Sequence, residues 1–96
     1  MRQVNFDVFY PLGESGDGYE DAVIDVLDAS GAVALRIACH RTVVCRASAV
    51  LRNQDRQTDS VVEGRKRLVM AGDDPDDARR MVAEIYRQCG PGSTDV

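Results

Sequence analysis

The chain is expected to fold as a mixed α/β (α+β) domain, with a small three-stranded sheet and helices packed against it. Three observations predict this. Residues 22–39 read as two apolar runs around an Asp28-Ala29-Ser30-Gly31 turn. Residues 42–51 place apolar side chains at helical spacing. Residues 74–89 carry both a helix start signal and an amphipathic stripe.

Taken in order, Val4, Phe6, Val8 and Tyr10 alternate with Asn5 and Asp7, the period of a strand with one buried face, although Phe9 interrupts it. Pro11 to Gly18 contains three glycines and a proline and reads as a surface loop. Its glycines lack the Lys-Ser/Thr of a phosphate-binding loop. Ala22 to Leu27 is apolar apart from Asp25, and Val33, Leu35, Ile37 and Cys39 share one face of the returning strand, with Arg36 opposite. Gly31 suits the positive φ that such a turn requires. The second strand runs into a helix with Thr42 as the expected N-cap and Val43, Val44, Ala47, Val50 and Leu51 on the buried side. Asn53 to Gly64 is polar and reads as a loop with at most one helical turn. Arg65-Lys66-Arg67 then opens a short strand as a solvated start.

The last helix begins at Asp74 as N-cap, with Pro75 in the first turn and Asp76 and Asp77 at the positive end of the helix dipole. Ala78, Met81, Val82, Ile85, Tyr86 and Cys89 form its apolar stripe, and Gly90-Pro91 ends it. The expected organisation is an N-terminal strand and Gly-rich loop over 1–20, one folded domain over 21–90 and a disordered tail over 91–96.

Composition narrows function by exclusion. A net charge of −4 disfavours a general nucleic-acid binder, which needs a cationic face. No apolar run approaches the ~20 residues that a membrane helix needs. Three cysteines without a Cys-x-x-Cys pair suit a reducing compartment, so a cytoplasmic or nuclear location is expected. Cys39, His40, Cys45 and Cys89 are the residues that could serve a thiol-dependent enzyme or a zinc site. Their spacing speaks against both, because neighbours on a strand point to opposite faces. No catalytic residue, metal ligand or cofactor site is assigned. The cysteines are read as small core residues, and His40, Arg41 and Ser48 as the structural junction between strand and helix.

His40-Arg41, the pair Val43-Val44 and Ser48 after three further residues resemble the BTB/POZ pattern of His-Arg, an apolar pair and a serine. Leu68 to Met70, Asp74-Pro75, Met81-Val82 and Ile85-Tyr86 are similar to that fold's third strand and the helix after it. The resemblance, to the BTB/elongin C superfamily, spans about residues 21–90. It differs in Val50-Leu51, where an aromatic pair is usual, and in Ala78, where a large apolar residue is usual. The helical pair that usually completes the fold is expected to be absent. The resemblance implies a non-enzymatic interaction domain that self-associates or docks on a cullin scaffold as a ubiquitin-ligase adaptor. A homodimer is expected, with Val4, Phe6, Val8 and Tyr10 at its interface.

Overall fold

In the computed structural model, which describes residues 6–11, 13, 16 and 18–89, the fold is built outward from a central hairpin. Strand β2 (Ala22–Leu27) pairs antiparallel with β3 (Val33–Cys39). Asp28 shapes the turn: its Oδ1 accepts from the Ser30 and Ala32 amides, and Gly31 takes φ +87°. A register shift between Val26 and Leu27 then sets Asp25 opposite Arg36.

The sheet has five strands rather than three. Strand β1 (Asp7–Phe9) pairs parallel with β3 on one side, and the order across the sheet is β1-β3-β2-β5-β4, where β4 is Val61–Val62 and β5 is Arg65–Ala71. Strand β5 runs parallel to β2. The segment read as loop between Asn53 and Gly64 contains β4 and a tight hairpin, in which Glu63 (φ 53°) and Gly64 (φ +78°) both take positive φ. That turn is usually signalled by Asn-Gly or Asp-Gly, and Glu-Gly is a weak substitute.

Three helices complete the chain: α1 (Arg41–Ala47), α2 (Ala49–Gln57) and α3 (Pro75–Cys89). The single helix expected over 42–51 is broken at Ser48, whose backbone is extended and whose Oγ accepts from Leu51 N–H at 3.2 Å. The N-cap position of α1 is His40, not Thr42, and an acceptor from outside the helix takes over the capping role: Asp21 Oδ1 accepts from Arg41 N–H at 2.7 Å. The break re-phases the helix. Val44 and Leu51 are buried, whereas Val50 is 73 % exposed and Ala47 lies at the surface. In α3, Asp74 Oδ1 accepts from Asp76 N–H at 2.8 Å. The buried stripe is narrower than the sequence pattern, with Ala78, Val82 and Tyr86 inside, Ile85 half-buried and Met81 exposed.

One core joins helices to sheet. Ala22, Ile24, Val26, Leu35, Ile37, Cys39 and Leu68 meet Val44, Leu51, Ala78, Val82 and Tyr86. All of these strand residues share one face by alternation and register. Val23 and Ala38, on the opposite face, are buried but lie outside that cluster. The chain is therefore a two-layer α+β sandwich with its helices on one side. Among the described residues no helix is long and apolar enough to cross a membrane. The expected tail over 91–96, the Gly90-Pro91 stop and Val4 lie outside the described residues.

Candidate interaction surface

The face of the sheet turned away from the helices is where polar chemistry collects. Register puts Val8, Arg36, Asp25 and Val69 side by side there, with Arg67 next to Val23. Asp25 is 0 % exposed, and a buried carboxylate is costly without partners. It has two. Arg36 donates from Nε to Asp25 Oδ1 at 2.6 Å and from Nη2 to Oδ2 at 3.0 Å, and Arg67 Nε donates to Oδ2 at 2.7 Å. Burial pushes the Asp25 carboxyl up, but the hydrogen bonds from Arg36 and Arg67 outweigh it and hold its pKa below the usual carboxylate value. The Arg36 guanidinium lies 4.8 Å from the centre of the Phe6 ring. Arg67 is thus no solvated strand start, and neither is Lys66, whose Nζ sits 3.3 Å from Asp55 Oδ1. Asp25 as the one charge in 22–27 and Arg36 as the one charge in 33–39 were the available signals. Their pairing depends on the shift at Val26/Leu27, because an unshifted register sets Asp25 against Leu35.

Strand β1 carries the expected interaction residues in a different phase. Phe9 packs on the core beneath the helices, and Arg79 lies 5.6 Å from its ring centre. Phe6, Val8 and Tyr10 alternate with it and fall on the helix-free side, where Val8 is 41 % exposed. The sequence reading put the buried face on the even residues. The core selected Phe9 because it stands opposite Ile37. A shallow depression lined by Val8, Phe9, Tyr10 and Gly13 runs beside the strand. Strand β1 pairs only with β3 among the described residues and so forms one edge of the sheet.

The far edge is short. Beyond the two-residue β4, Gln54 of α2 reaches the free side of β5, donating from Nε2 to Val69 O at 2.8 Å and accepting from Val69 N–H at 2.5 Å. A side-chain amide occupies the place where a longer β4 would pair.

His40, Arg41 and Ser48 sit where β3 passes into α1 and α1 into α2. The His40 amide donates to Tyr86 Oη at 2.6 Å, and His40 Nδ1 lies 2.7 Å from the same oxygen. Tyr86 thereby ties α3 to the junction. Arg41 Nε pairs with Asp55, joining α1 to α2, beside a cleft lined by Asp21, Arg41, Thr42, Cys45 and Asp55. Cys39 is buried in the core, and burial, reinforced by the Asp21 carboxylate, pushes its thiol well up, away from the thiolate that a nucleophile needs. Cys45 is half-buried, and burial raises it too. The Cys89 side chain lies outside the described set. Among the described residues no three His, Cys, Asp or Glu side chains gather as metal ligands. Compared with family models, characterised proteins and solved structures, the chain matches none.

Proposed function

We propose that this chain is a non-enzymatic protein-interaction module of BTB/POZ type that self-associates through β1. The observation that carries the reading is β1 itself, a strand at the edge of the sheet among the described residues, anchored by Phe9 yet leaving Val8 exposed. Edges of this kind pair readily with another chain. What supports the resemblance is the order of elements after residue 21: hairpin, two helices, β5 preceded by the two-residue β4, and the helix α3. Docking on a cullin scaffold as a ubiquitin-ligase adaptor, in cytoplasm or nucleus, is the further role that this resemblance implies.

Light scattering tests self-association. The expected mass is twice the 10.5 kDa of the chain, and Val8→Lys, which adds charge to a free edge, should shift it to monomer. A monodisperse monomer at high micromolar concentration rejects the dimer. Calorimetric titration with a cullin N-terminal region tests the scaffold role separately, and no heat at micromolar concentrations rejects it.

A further inference from the structure

Asp25, Arg36 and Arg67 hold one carboxylate for two guanidinium groups. Both oxygens of Asp25 are taken, with three donors converging on them. Arg67 spends only its Nε on the pair. Its side chain is 32 % exposed, and its two terminal amino groups make no hydrogen bond among the described residues. A guanidinium held by Nε is oriented so that its other edge, the two-pronged one, stays available for a second carboxylate. Glu63 is the other carboxylate whose field reaches Arg36, but it is exposed on the β4–β5 turn and forms no ion pair with either arginine. Among the described residues no carboxylate pairs with the outward edge of Arg67.

We infer that the helix-free face of the sheet seats an acidic protein segment, with the outward edge of Arg67 binding a carboxylate side chain of that partner. Charge complementarity selects this occupant. Asp25 fixes the Nε edge of Arg67, so the two-pronged edge that remains is a ready donor for a carboxylate. The surroundings specify more of the ligand. Val8, Val69 and the Phe6 ring over Arg36 flank the seat with apolar surface, which fits an extended segment that alternates acidic and apolar residues. The inference rests on reading the chain as an interaction module, but not on self-association.

The probe is a capped seven-residue peptide in which Glu alternates with Val and Thr, compared with the same peptide carrying Gln. The wild-type chain should bind the Glu peptide at least about tenfold more tightly than the Gln peptide, with affinity falling steeply between about 50 and 500 mM salt. Amide resonances of residues 8, 36, 67 and 69 should move on titration. Arg67→Met should weaken binding about tenfold and Arg67→Lys less, since a lysine keeps the charge without the fork. Arg56→Met, which removes an exposed charge on α2, should change nothing. Because Arg67→Met also strips a partner from Asp25, the resonance map of the unaltered chain is the deciding measurement. Equal affinity for the two peptides, or shifts confined to the helices, overturns the inference. Shifts at residues 36 and 67 on dilution without peptide also overturn it, by showing that a second copy fills the face. A monomer that binds the Glu peptide upholds it and rejects self-association, whereas a dimer that ignores the peptide does the reverse.

Discussion

The two faces of the sheet bury residues to the same depth by opposite means. Under the helices, Ile24, Ile37 and Leu68 are sealed by Val44, Leu51 and Val82, so the energy comes from apolar area and close packing. On the other face Val23, Asp25 and Ala38 are equally inaccessible with no helix above them among the described residues. Among the described residues, the arginine side chains and the Phe6 ring lie on that face. The first face depends on volume and the second on pairing. Perturbations that alter volume and those that alter charge should therefore separate cleanly.

The largest effect is expected on the helix face. Val44→Asp places an unpaired carboxylate in the core, a cost of several kcal/mol against a domain stability of about 5–15 kcal/mol. It should abolish the cooperative thermal transition seen by circular dichroism. On the opposite face Asp25→Ala leaves two guanidinium groups facing each other without their anion, and should cost about 3–5 kcal/mol by denaturant titration. Replacing Asp25, Arg36 and Arg67 together by Leu, Met and Leu should restore stability to near the parent value. Failure of that triple replacement would show that the polar cluster does more for this face than hold its members.

Acid should discriminate between the faces as well. The native pKa of Asp25 is depressed, so its contribution is complete above the unfolded value of about 4 and is lost as pH falls through the native one. Asp55, lowered by Arg41 and Lys66 against the cost of its burial, has the same sign. The melting temperature should stay level from pH 7 to 5 and drop below about pH 4, less steeply in Asp25→Asn. Tyr86→Phe removes the acceptor for the His40 amide and should cost about 1–3 kcal/mol in denaturant titration. The smallest effect on stability belongs to Val8→Lys, within about 0.5 kcal/mol at a position already 41 % exposed, although it should abolish self-association.

Local patterning sufficed for part of this architecture. The β2–β3 hairpin and α3 were readable because their turn and cap residues, Gly31 and Asp74, act within a few positions of themselves. The third strand was readable too, from the apolar run at Leu68. What escaped depends on partners distant in sequence. Ser48 breaks a helical pattern that looked continuous through Val50, because Leu51 and Val44 have to reach one core from two helix axes. Phe9 rather than Val8 turns inward because Ile37 and Arg79 await it. The charged cluster spans three strands, and nothing in the Arg65-Lys66-Arg67 run indicates that Arg67 will find Asp25 across 42 residues.

Gln54 has a consequence for how far assembly can go. With its amide holding both polar groups of Val69, the described strands offer an incoming strand the three residues of β1 at one end and the two of β4 at the other. Two copies joined edge to edge through β1 consume the first on each. In the proposed dimer what remains outside is the short end at β4, beside a β5 whose Val69 is already held by Gln54, which favours a closed pair over an open-ended fibre.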